Sequence, residues 1–155
     1  MELNEVLRQN PLTALLSDDD HAALAASLVP SMHPDGHVFI REGKRGDRLF
    51  LLLEGEVLVT RKRSGAQLIK RLQPGELFGL SALVDNEPRS ATCSAAGPVR
   101  VASLPQGAFS LLFNAHAPIA DALLQAFAAQ LASDFRNVNE QIREELARAP
   151  SEPKT

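Results

Sequence analysis

Two short stretches carry residues that could do chemistry. Gly79-Leu80-Ser81-Ala82-Leu83 is followed, after a loop, by Pro88-Arg89-Ser90-Ala91-Thr92. A glycine lets backbone approach a ligand closely. The free N–H groups of a short helical turn, with the dipole of that turn, form a site for an anion. Arg89 adds a planar fork that grips two phosphate oxygens and stays charged at any relevant pH. Ser90 adds a hydroxyl. One arginine with backbone amides suits a single, singly charged phosphodiester. A nucleoside triphosphate calls for a P-loop with its lysine and Ser/Thr, and that pattern is absent. Taken alone, an arginine after a proline also fits a surface ion pair, so the surrounding elements must decide.

Those elements fall into three blocks. Ser17 before Asp18-Asp19-Asp20 predicts an N-cap with acids in the first helical turn. The helix that follows should bury Leu24 and Leu28 and stop before Pro30. From Met32 to Leu104, short runs rich in Val, Leu and Ile are separated by glycines. Runs 37–41, 48–54, 56–62, 67–73, 90–95 and 99–104 read as strands. Turn signals every ~8–12 residues are the pattern of an all-β sandwich or roll. The basic runs Arg61-Lys62-Arg63 and Lys70-Arg71 read as a solvated hairpin face. After Leu104 the helical period returns. Pro105 should sit in the first turn of a short helix carrying Phe109, Leu112 and Phe113, and Pro118 near the start of a long one ending about Ala149. Leu124, Ala128, Leu131, Phe135, Val138 and Ile142 alternate by four and three, which is a heptad seam. A helix ~45 Å long at about 1.5 Å per residue outreaches a small β-domain. A homodimer seam through Leu124, Leu131, Phe135, Val138 and Ile142 is therefore expected. The tail 150–155 reads as disordered.

Composition narrows the function. The chain has 155 residues, 45% hydrophobic and 23% charged, which suits one soluble globular domain spanning 1–149. A net charge of -3 gives no general attraction to nucleic acid. The single cysteine, Cys93, allows no internal disulfide and no four-cysteine cluster, and it points to the cytoplasm. The first ten residues lack the regions of a signal peptide, and no apolar run is long enough to cross a membrane. No nucleophile–base pairing, metal-ligand spacing or carboxylate pair stands out, so an enzyme is not expected, nor a metal or cofactor.

The chain resembles the cyclic nucleotide-binding domain family, to which the catabolite activator protein and the regulatory subunit of protein kinase A belong. The matching pieces are GHVFIREGKRGDRLFLLLEGEVLV (Gly36–Val59), PGELFGLSAL (Pro74–Leu83) and PRSAT (Pro88–Thr92), followed by two helices. The resemblance implies an eight-stranded antiparallel β-roll, jelly-roll in character. N-terminal helices in 1–29 would precede the roll at 30–104, and C-terminal helices would follow at 105–149. It implies a regulatory module that binds cAMP or cGMP through a phosphate cassette and signals by moving its C-terminal helix. The cassette reads glycine, glutamate, apolar, small, leucine, then a loop, then arginine, Ser/Thr/Ala, alanine. The family places another glycine four residues ahead, followed by an acid. Gly75-Glu76 fits that lead-in, so Gly79 takes the cassette position, with Ser81, Ala82, Arg89, Ser90 and Ala91 completing the phosphate equipment.

In that register Leu80 stands where the family has glutamate. The glutamate accepts a hydrogen bond from the ribose 2′-hydroxyl, and leucine accepts none. A hydrogen bond to a charged group is typically worth ~1.5–3 kcal/mol, so affinity should fall about ten- to a hundred-fold. Weak cyclic nucleotide binding, a different nucleotide and an empty site all fit this departure. By the same resemblance the base would lie between the roll and the long helix, against Val59, Ile69, Asp134 and Phe135. Each of the two apolar strand residues also fits a plain core position, and Phe135 lies on the heptad seam. Ser90 would reach a guanine amino group, which does not choose between cGMP and cAMP.

Two rival readings keep the fold. One is a sensor of another ligand. Haem would then need an axial ligand from His21, His33, His37, His116 or Cys93. The other is a protein-interaction module that has lost its nucleotide because of Leu80. DNA binding is not expected, because the relatives that bind DNA carry a helix-turn-helix after the long helix, and only a short polar tail follows Ala149.

Overall fold

The computed structural model describes residues 3–9, 16–62, 67–79 and 91–148. At 67, 127, 131, 133–141 and 145 only the backbone is described. Helix α1 (Leu3–Gln9) and helix α2 (Asp18–Ser27) lead into strands β1 (Val29–His33), β2 (Val38–Ile40) and β3 (Arg48–Arg61). Strands β4 (Gln67–Leu72), β5 (Leu77–Phe78) and β6 (Thr92–Pro105) follow, then helices α3 (Gln106–Ala115) and α4 (Ala117–Arg148).

Helix α2 starts as its sequence requires. The Ser17 side chain accepts a hydrogen bond from the Asp20 N–H, and Leu24 and Leu28 are buried. The chain then turns into β1, which the sequence did not mark as a strand. Pro30 is tolerated there because, among the described strands, β1 pairs only β6 and lies at the end of the sheet path.

All strand pairs are antiparallel, in the order β1-β6-β3-β4, with β2 on β6 and β5 on β3. The described sheet has six strands rather than the eight implied by the resemblance, and it does not close into a barrel. Two pairs of expected strands are each one long strand. Runs 48–54 and 56–62 are both β3, and runs 90–95 and 99–104 are both β6. Gly55 and Gly97 separate those runs without ending the strand. Gly55 has φ +91°, and the β3–β6 register shifts on either side of Glu54. This is a bulge that bends a continuous strand rather than a turn. The two backbones also approach closely there, since a Cβ on Gly55 would lie 2.6 Å from the Pro98 carbonyl oxygen.

The sheet divides two cores. Leu49, Leu51 and Leu53 of β3 pack with Leu104, Leu24 of α2, Leu28 just after it, Leu112 of α3 and Ile119 and Leu123 of α4. Phe50, Leu52 and Val57 pack with Ile40, Leu72, Phe78, Cys93 and Val101 inside the folded sheet. Successive side chains point to opposite faces, so one strand supplies both cores.

The helices meet at a tight corner. Pro105 ends β6 and precedes the first residue of α3, instead of lying in its first turn. The Gln106 N–H is satisfied by the Asp47 carbonyl at 2.8 Å. Only His116 separates α3 from α4, and its Nδ1 lies 2.8 Å from Asp20 Oδ1, pinning the corner to α2. On α3, Leu112 is buried, Phe109 packs against the helix-side core, and Phe113 is half exposed.

Candidate functional site

The two ends of the segment 79–91 are firmly placed. Its entrance is β5, whose Leu77 and Phe78 sit opposite Leu51 and Phe50. Gly79 then takes φ +92°, a conformation that favours glycine, and this explains the residue type at that position. Its exit is Ala91, from which β6 starts at Thr92 opposite Thr60. Thr92 Oγ1 accepts a hydrogen bond from the Glu42 N–H at 3.0 Å, so the β2–β3 loop braces that end. Leu80, Ser81, Ala82, Arg89 and Ser90 lie outside the described residues.

The lead-in residues Gly75 and Glu76 hold the scaffold. Gly75, at φ +94°, turns the chain and donates its N–H to the Leu52 carbonyl at 2.8 Å. The Leu52 N–H returns a bond to the Glu76 carbonyl at 3.0 Å. The Glu76 carboxylate accepts from the Gln73 N–H at 3.1 Å and pairs with Lys70 Nζ at 2.5 Å. A half-buried carboxylate with these partners fixes the β4–β5 turn.

The structure brings Val59 and Ile69 to neighbouring strands but treats them differently. Val59 is half buried against the core inside the sheet. Its partner across the ladder is Lys70, while Thr60 pairs with Leu68. Ile69 is the residue skipped by that register shift, a bulge that leaves its side chain 47% exposed. Asp134 and Phe135 lie on α4, and their side chains are outside the description.

Sequence reasoning missed three features of the described structure. Phe39, Phe50 and Phe78 form an aromatic cluster, with Phe50 and Phe78 stacked at 4.9 Å and Phe39 edge-on to both. The cluster puts Phe78, the residue before Gly79, in fixed contact with β2 and β3. The second feature is a cavity of about 150 Å³ lined by Phe39, Ile40 and Phe50 and by Arg41, Arg45 and Arg48. Asp47 also lines it and bonds Arg48 at 3.0 Å. Three arginines and one aspartate line this cavity, a locally positive set of residues on a chain of net charge -3. The PRSAT stretch was legible as a motif, but nothing in the sequence marked Arg41, Arg45 and Arg48 as lining one cavity.

The third feature is Gln130. Its Oε1 accepts the Leu77 N–H at 2.9 Å, and its Nε2 donates to the Leu77 carbonyl at 2.7 Å. Helix α4 is thereby tied to the strand that enters the loop, one helical turn from Asp134.

The residues considered as haem ligands are dispersed. His33 and His37 stack at 4.1 Å, His33 Nε2 lies 2.8 Å from Ser31 Oγ, His116 is held by Asp20, and Cys93 is buried inside the sheet. Burial, and then the charge of neighbouring His37, lower the His33 pKa. Among the described residues no group of three or more His, Cys, Asp or Glu is placed to hold a metal. Nor, among them, is any helix long and apolar enough to cross a membrane.

A bent antiparallel sheet packed under helices, with a glycine-started loop between β5 and β6, is the architecture of a β-roll. The sequence model described as "Cyclic nucleotide-binding domain" matches residues 32–116, a span that contains both ends of the loop. The chain belongs to the cyclic nucleotide-binding domain family. It is 33% identical over 98 residues to a cAMP-dependent protein kinase regulatory subunit of Dictyostelium discoideum, covering 60% of this chain and 30% of that one. It is 26% identical over 138 residues to a CRP-like cAMP-activated global transcriptional regulator of Mycobacterium tuberculosis, covering 88% and 62%. A crystal structure of a cyclic nucleotide-binding domain from Methylobacillus flagellatus superposes with a TM-score of 0.81 at 26% identity, covering 98% of this chain and 85% of that one. The chain spans less than a third of the length of the kinase regulatory subunits it matches.

Proposed function

We propose that this chain is a regulatory module that binds a cyclic nucleotide monophosphate, cAMP or cGMP, on the loop 79–91. The observation that supports this reading is the placement of the loop's two ends. The loop leaves β5 through a left-handed Gly79 and rejoins the sheet at Ala91, and Phe50, which pairs with Phe78 across the ladder, also lines a cavity that holds three arginines. Gly79, Ser81, Ala82, Arg89, Ser90 and Ala91 hold the phosphate, and Leu80 faces the sugar without an acceptor for its 2′-hydroxyl. Val59 and Ile69 wall the base, with Asp134 and Phe135 approaching from α4. The named cAMP-binding relatives support the ligand class. Binding regulates only to the extent that the ligand prefers one arrangement of α3 and α4 over another.

Helix α4 is the output in this reading. Its first turns bury Ile119, Ala120, Ala122, Leu123 and Ala126 on the chain's own core, and Leu124 packs partly there too. Farther along, Ala128, Ile142 and Leu146 are exposed. A homodimer seam through Leu131, Phe135, Val138 and Ile142 would cover this distal half, with Leu124 shared between core and seam. Such a module works in the cytoplasm.

The test is calorimetric titration with cAMP and with cGMP, using Arg89→Ala as control. Binding of either ligand that Arg89→Ala removes by a hundred-fold or more supports the proposal. The alternative, a protein-interaction module of the same fold, is motivated by Leu80. It is favoured if neither nucleotide binds the native chain or Leu80→Glu.

A further inference from the structure

The Gln130 contact with Leu77 has an unusual form. A side-chain amide takes the place of a neighbouring strand, giving a donor to the Leu77 carbonyl and an acceptor to its N–H at once. β5 is only two residues long and its described ladder is to β3. Its outer edge is therefore where a substitute partner is needed. Leu77 itself is buried in the helix-side core, and it stands two residues before Gly79. On the other side of the contact, Ala126 is the last described side chain that α4 buries, and Gln130 is one turn beyond it on the same face. The clasp thus joins the point where the loop leaves the sheet to a position one turn beyond the last described side chain that α4 buries.

We propose that Gln130 is a positioning residue that couples the loop 79–91 to the distal half of α4, through the peptide of Leu77. The proposal rests on the ligand-binding reading for its stimulus, while the coupling itself exists without a ligand. A displacement of the loop entrance moves the Leu77 peptide. The paired hydrogen bonds carry that displacement to the helix one turn before Asp134. The chemistry is selective. Leucine offers neither bond. A glutamate anion accepts but cannot donate, and a protonated glutamic acid does both.

Native-state hydrogen exchange of the full chain tests the coupling without nucleotide. In the native protein the Leu77 amide and the α4 amides beyond Gln130 open together as one cooperative unit. In Gln130→Leu the Leu77 amide exchanges at least ten-fold faster, and the two segments open separately. Gln130→Glu at pH 8 keeps the bond from the Leu77 N–H but loses the one to its carbonyl, so it falls between the native protein and the leucine variant, and it returns toward native behaviour as the pH falls and its carboxyl protonates. A merely structural side chain would not show that recovery. Unchanged Leu77 exchange in Gln130→Leu, or joint opening that persists in it, overturns the proposal. With saturating cAMP, exchange in α4 beyond Gln130 changes in the native protein. Gln130→Leu keeps its affinity within about three-fold and loses that change, and a change retained in full overturns the proposal. Absence of nucleotide binding to the native chain defeats the ligand reading, and the nucleotide-free exchange still decides the clasp.

Discussion

Leu49, Leu51 and Leu53 leave β3 toward the helices, while Phe50, Leu52, Val57 and Val59 leave it toward the inside of the folded sheet. The first face is closed. Leu49 and Leu53 are 1% exposed, and the helices above them add Leu24, Ile119 and Leu123, all buried. The second face starts the same way at Phe50 and Leu52 and then opens. Past the bend at Gly55, Val59 is half buried and its neighbour Ile69 on β4 is largely exposed. One strand therefore serves stability on its helix face and leaves apolar surface uncovered on the other. The uncovered part lies toward the end of the sheet where the loop 79–91 rejoins it. Apolar side chains left half open on that face suit the flat base of the proposed ligand.

The contrast can be broken most strongly on the closed face. Leu104→Ala should destabilise the protein by about 2–5 kcal/mol, because its neighbours cannot collapse into the space left behind. Denaturant unfolding reads the loss, and the folded fraction should keep its nucleotide affinity. Gly55→Ala attacks the bend that separates the two regions. Its Cβ meets the Pro98 carbonyl and the Val99 side chain, on a backbone with positive φ. A loss of about 2–4 kcal/mol is expected by the same measurement. Val59→Ala on the open face should cost only about 1 kcal/mol of stability and weaken nucleotide binding several-fold. A large stability loss with unchanged affinity would place Val59 in the core alone.

The smallest effect is a pH dependence. The folded state depresses the His33 pKa, so it resists a proton that the unfolded chain accepts near pH 6.5. Stability is fully present above that pH and declines as the pH falls through it toward the folded value. Thermal melts from pH 8 to pH 5 should show the decline, and His33→Gln should flatten it. An equal slope in both proteins would assign the decline to other groups.

How much of this was legible follows from what each feature needs. The N-cap at Ser17 and the loop entrance at Gly79 each depend on one residue with a distinctive conformation or hydrogen bond, so their types announced them. The bends at Gly55 and Gly97 were legible as glycines but misread as turns. A bulge and a turn use the same residue, and only the partner strand distinguishes them. The run LFLLL of β3 gave no alternation to assign faces, because both faces of that segment are buried. Pro30 concealed β1, since its exclusion from strands does not apply at an edge. Gln130 was invisible because its partner is backbone, which leaves no mark in the partner's residue type.

The central claim is a phosphate site altered at the sugar. Its most direct test is a paired titration of the native protein and Leu80→Glu with cAMP and with 2′-deoxy-cAMP. The native protein should bind both ligands with similar affinity, because Leu80 accepts nothing from the 2′-hydroxyl. Leu80→Glu should bind cAMP about ten- to a hundred-fold more tightly than the native protein does, and it should prefer cAMP to the deoxy ligand by a similar factor. No binding of either ligand by either protein would contradict the account. A strong native preference for the 2′-hydroxyl would contradict the role given to Leu80.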